Sequence, residues 1–174
     1  MARSVANAAD TERYETDFHL WAQRQAELLR QRRFGDLDLE NLIEEVDDLA
    51  RREWKAVRSH ARRAIEHLLK LQFSPAASPR GGWLNTVITQ RAELEDGLSP
   101  SLRRDLAVTL GNLYRRARDA AAADMRQDRV ALEQLPETCP YTIDQILDFG
   151  WLPENVHGLR DDPPASQSPT QPCS

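Results

Sequence analysis

Apolar residues recur at helical spacing along most of the chain, and the longest such run organises the rest. Between Asp38 and Gln72 there is neither Pro nor Gly, and apolar residues fall at Leu39, Leu42, Ile43, Val46, Leu49, Ala50, Trp54, Val57, Ala61, Ala64, Ile65 and Leu68. This i, i+3, i+4, i+7 recurrence predicts one amphipathic helix. It is long, on the order of 50 Å at about 1.5 Å per residue. Asp36 or Asp38 is placed to cap its start. Glu40, Glu44, Glu45, Asp47 and Asp48 come early, while Arg51, Arg52, Lys55, Arg58, Arg62, Arg63 and Lys70 come late. That order suits the helix dipole. Asp47–Arg51 and Asp48–Arg52 form favourable i, i+4 pairs. Such a helix is longer than a small domain needs, so a kink near Ala50–Glu53, or a partner along the far end, is expected.

The remaining elements follow from the same pattern. Phe18, Trp21, Ala22, Leu28 and Leu29 mark a first amphipathic helix over 15–33, with Gly35 as its C-terminal cap and a tight turn into the long helix. The breaker-rich run from Ser74 to Gly82 turns the chain, and Trp83, Leu84, Val87, Ile88 and Leu94 resume helical spacing to Glu95. Ser99-Pro100 starts a fourth helix, with Leu102, Leu106, Leu110, Leu113, Ala117, Ala120 and Ala121 facing inward and the end fraying beyond Arg126. Thr142 and Gln145 match a capping box, flanked by Tyr141 and Ile146 at staple positions. They predict a short helix ending near Gly150, after which Trp151-Leu152-Pro153 tucks back onto the bundle. No useful strand pattern and no internal repeat is present. The fold class is all-α: a single helical bundle over residues 14–153, organised around one long central helix. Residues 1–13 and 154–174 are expected to be disordered ends.

Composition narrows the picture modestly. A chain of 174 residues with 40% hydrophobic and 29% charged side chains has the makings of one soluble domain. Its net charge of −5 argues against a general nucleic-acid binder. Cys139 and Cys173 make neither a disulfide framework nor a zinc site. The N-terminus lacks the apolar core of a signal peptide and no segment approaches a membrane span, so a cytoplasmic location without membrane association is expected.

Five segments in order resemble a bacterial family: Tyr14-Glu15-Thr16-Asp17-Phe18 with Trp21, the run from Asp38 to Val46, His67-Leu68-Leu69-Lys70, Trp83 through Ile88, and Cys139-Pro140-Tyr141-Thr142. In this order and spacing they resemble the domain-of-unknown-function family numbered 29, and the likeness spans Tyr14 to Pro153. Leu71 and Gly82 depart from the family pattern, which carries Trp and Ser there. The resemblance implies an all-helical fold and transfers no catalytic residue.

The candidate binding residues are Glu44, Glu45, Asp48, Glu53, His60, His67, Lys70 and Trp83. Glu53, His60 and His67 share a stripe at i, i+7, i+14 beside the apolar face. Residues seven apart on one helix are separated by roughly 10 Å along its axis, so a metal held by both histidines needs ligands from another helix. The alternative for each is a core-edge histidine bonded to a carbonyl or carboxylate. Glu40 and Glu44 are a repulsive i, i+4 pair. Glu45 and Asp48 have i, i+3 spacing suited to magnesium, or else form a solvated helix start. Lys70 belongs to the basic end of the helix, and Trp83 is either core or interface. No residue is assigned as catalytic or as a metal ligand, and no cofactor is expected. The leading functional reading is an interaction or regulatory module with a protein partner or as a homo-oligomer. The alternative is a metal-dependent phosphohydrolase or nuclease using Glu44 or Glu45, Asp48 and His67. A third reading has the basic half of the helix touching nucleic acid.

Overall fold

The computed structural model describes residues 13–160. The expectations for residues 1–12 and 161–174 lie outside the described residues. Among the described residues the fold is all-α, without strands. The chain divides into two compact units at Glu53 and Trp54.

In the first unit, helix α1 (Phe18–Arg30) starts later than its apolar spacing predicts. Residues 13–16 are helical too, but Asp17 adopts φ −147° and caps α1, its side chain accepting from the Leu20 amide at 3.1 Å. An aspartate that satisfies a free first-turn amide outweighs continuity of the spacing. The C-terminus also differs from expectation. Gly35 lies within a 3₁₀ turn (Phe34–Asp36), while Arg32 takes the left-handed conformation at φ 58°. The Arg33 amide donates to Leu28 O (2.9 Å) and the Arg32 amide to Leu29 O (3.0 Å), the paired bonds of a Schellman motif closed on a non-glycine residue.

Asp38 organises this unit. It precedes helix α2 (Leu39–Phe73), and its carbonyl accepts from the Leu42 amide at 3.0 Å, so it holds the N-cap position. Its buried carboxylate accepts from Trp21 Nε1 (3.3 Å) and Asn41 Nδ2 (2.7 Å), and its backbone amide donates to Gln25 Oε1 (2.9 Å). Each buried polar group here has a bonded neighbour. Tyr14, Phe18 and Trp21 form a ring cluster with centroids 4.9–5.9 Å apart.

Helix α2 is uninterrupted from Leu39 to Phe73 and contains the unit boundary. Its last part, helix α3 (Arg80–Gly97), helix α4 (Pro100–Asp124) and short helix α5 (Ile143–Leu147) build the second unit. Gly81 and Gly82, read as part of the breaker run, lie in the first turn of α3 and are exposed. Ser99 caps α4 through its hydroxyl, with Pro100 following, and the Thr142–Gln145 box is formed in both directions at 3.2 and 2.9 Å. The core joins Ala64, Ile65, Leu68, Leu69 and Leu71 of α2 to Val87, Tyr114, Ala117, Ala121, Met125 and Ile146. A second cluster packs Val57 and Ala61 against Leu94, Leu106 and Leu113. Trp151 and Leu152 pack on the larger core, with Trp151 edge-on to Tyr141 at 5.7 Å.

Side-chain and backbone donors hold the loops in place. The final carbonyls of a helix have no partner within it. At the end of α2, Asn155 Nδ2 donates to Leu71 O (2.7 Å) and Ser74 O (3.0 Å), and the Val156 amide donates to Gln72 O (2.9 Å). His157 Nε2 lies 3.1 Å from Phe73 O, and the Arg80 guanidinium also reaches Leu71 O at 2.9 Å. Arg91 does the same for α5, donating to Ile146 O (2.8 Å) and Gln145 O (2.9 Å).

Candidate functional site

In the first unit, the acidic candidates are engaged by their neighbours to different degrees. Glu45 accepts from the Tyr14 hydroxyl at 2.7 Å, and this bond to a carboxylate is the main reason the phenol is pushed up to about 12. Asp48 pairs with Arg51 and, at 3.8 Å, with Arg52. Arg51 was expected to take Asp47; it takes Asp48, one residue nearer, and that bond raises its own pKa. Glu44 and Glu53 are exposed.

The other candidates belong to the second unit. His60 Nδ1 donates to Gln90 Oε1 at 2.9 Å. His67 is buried, and its Nδ1 donates to Arg63 O at 3.0 Å. Burial pushes the His67 pKa below its ordinary value, and nearby Lys70 adds to this, so the ring is neutral near pH 7. Lys70 is 3% exposed; its ammonium bonds Glu66 Oε1 at 2.9 Å and also Asp124 Oδ2. Glu66 receives Arg62 at 3.3 Å as well. Trp83 is half-buried against the larger core. Glu45, Asp48, His60, His67 and Lys70 are thus each bonded to a neighbour within their own unit. Among the described residues, no group of three or more His, Cys, Asp or Glu side chains is placed to hold a metal ion.

Sequence reasoning missed the partners Glu66 and Asp124, the carbonyl-binding Arg91, and Asn155. For Arg91 a signal existed: it stands between Val87 and Leu94 at i+4 and i−3, where the core pattern calls for an apolar side chain. Its buried guanidinium has a pKa lowered to about 10 by desolvation and remains charged at neutral pH. Glu66 and Lys70 were harder to see. Residues 64–71 are buried on every side of the helix, so even positions off the apolar stripe are covered.

The least expected feature is apolar surface. Leu39, Ile43, Val46 and Leu49 were placed on the core face, yet they are 54%, 61%, 65% and 58% exposed. In sequence, Leu39, Ile43, Val46 and Ala50 have the same spacing as Val57, Ala61, Ala64 and Leu68, eighteen residues further on. The latter four are at most 4% exposed. The row is apolar along its whole length, but only its second part is covered.

Among the described residues the fold is all-α, and its most distinctive exposed feature is this aliphatic row. The chain belongs to the family described as Domain of unknown function DUF29, whose model matches residues 13–152. Comparison with curated proteins and with solved structures finds no match. No helix among the described residues is long and apolar enough to cross a membrane.

Proposed function

We propose that the chain is a helical protein-interaction module that binds through the row Leu39, Ile43, Val46 and Ala50 of α2. The observation that carries this reading is the exposure of three large aliphatic side chains in one line, whereas the residues of the same spacing in the second unit are covered. Contiguous apolar surface of a few hundred Å2 marks binding surfaces, whereas scattered single residues do not. The candidate residues around the row serve it by fixing α2. Tyr14 holds Glu45, and Arg51 and Arg52 hold Asp48, so the first turns present the aliphatic side chains on an ordered helix.

A photo-crosslinking amino acid installed at Val46, in cells of the native host, tests the reading, with Glu95 on exposed α3 surface as control. A discrete adduct from position 46 and none from position 95 is expected. Silence at position 46, or equal labelling at both positions, refutes the assignment of this face.

A further inference from the structure

In the second unit, the end of α2, the turn after α4 and the segment after Pro153 line a cleft of about 320 Å3. Neither the aliphatic row nor the candidate residues belong to it. We infer that the cleft binds a small carboxylate with an apolar body, the body against Phe73 and Val130 and the carboxylate on Arg129.

The cleft is built without a ligand, because each of its three segments is tied down. Ser74 Oγ donates to Asp128 Oδ2 at 2.7 Å, joining the end of α2 to the turn. Within the turn, the Val130 amide donates to Met125 O at 3.3 Å and the Ala131 amide to Gln134 Oε1 at 2.6 Å. The Val156 amide donates to Gln72 O and His157 Nε2 to Phe73 O, which fixes the third wall. Preformed clefts of this size hold small ligands.

The lining then selects the chemistry. Phe73, Pro75, Val130 and Val156 supply its apolar part. Gln134 and His157 are engaged by the bonds just given, and the one acidic group on the lining, Asp128, already accepts the Ser74 hydroxyl. Arg129 is exposed, and among the described residues its guanidinium has no partner. The group left to be satisfied is therefore a cation, and a planar carboxylate matches the guanidinium fork. Arg129 also stands at φ 61°, where glycine would be unstrained. Backbone strain beside a cleft points to a function for the side chain held there.

Amide NMR titration of the full chain with three matched probes, phenylbutyrate, phenylbutanol and phenylbutylamine, tests this. Phenylbutyrate should shift the Val130 and Val156 amides, with a dissociation constant on the order of 1 mM for a fragment of this size. It should bind at least about fivefold tighter than the alcohol or the amine. Arg129→Gln should remove that preference, and Arg129→Lys should keep part of it. Val156→Asp sets a like charge in the wall and should weaken phenylbutyrate more than the amine. Because Val156 is exposed, its helicity by circular dichroism should be unchanged. Shifts confined to residues outside the cleft, or no saturable shift well above the expected dissociation constant, overturn the inference. Equal affinity for the three probes, or a preference that survives Arg129→Gln, overturns the assignment of a carboxylate to Arg129.

Discussion

Replacing Lys70 by methionine removes an ammonium that the second unit has closed over. Lys70 Nζ bonds Glu66 Oε1 at 2.9 Å and also Asp124, with the Lys70 and Glu66 side chains 4% and 12% exposed. Removing one member of a buried ion pair costs about 3–5 kcal/mol, because the other charge is left poorly solvated. Two features reduce that here. The Asp124 side chain is 61% exposed and rehydrates, and Glu66 keeps Arg62 at 3.3 Å. Methionine preserves most of the packed stem. The expected loss is therefore about 2–3 kcal/mol. The double replacement Lys70→Met/Glu66→Leu removes both charges and is expected to lose only about 0–1 kcal/mol, less than Lys70→Met alone. Urea unfolding of the parent, both single variants and the double variant measures the coupling. If the double loss equals the sum of the single losses within about 0.5 kcal/mol, the residues do not act as a pair and the reasoning fails.

Three further outcomes are expected. Asn155→Ala removes both donors to Leu71 O and Ser74 O and should destabilise by about 1–2 kcal/mol, with faster hydrogen exchange at the neighbouring Val156 amide; an unchanged denaturation midpoint would contradict it. Arg32→Gly and Arg129→Gly relieve left-handed backbone at φ 58° and 61°, and each should raise stability by about 0.5–1 kcal/mol in thermal melts; a loss at either position counts against the strain argument. For His67, the folded pKa lies below the unfolded one, so below about pH 6.5 the unfolded chain binds the proton first and stability falls as pH falls. His67→Asn keeps a donor for Arg63 O, and its melting temperature should fall less between pH 7 and 5 than that of the parent; parallel slopes would exclude His67 as the source.

Several local signals were legible because one side chain satisfies its own neighbourhood. Ser99-Pro100 and Thr142–Gln145 are such cases, because a cap needs only a residue type and a spacing. The long helix was legible from periodicity, starting at Leu39 after Asp38 and ending at Phe73. Arg32 was not: the Schellman bonds stabilise the left-handed turn at a position where sequence favours Gly35. The ionic candidates were legible as types and not as partners. Lys70 read as part of a basic helix end, and nothing near it in sequence points to Asp124 across α4. Asn155 read as part of a polar tail, and its contact with the end of α2 joins residues more than eighty apart.

The sequence by itself determined the all-α class, the long helix, Asp36 or Asp38 as its N-cap and the continuity of its apolar row. These depend on helical period and on contacts within about one turn. Tertiary structure alone decided which part of the row is covered, which charges are buried, and which donors close the helix ends. Those outcomes depend on what packs alongside. The same aliphatic pattern is core at Val57 and Ala61, where Leu94 and Leu106 lie against it, and open surface at Ile43 and Val46. Periodicity identifies an apolar face; only packing determines whether this chain covers it.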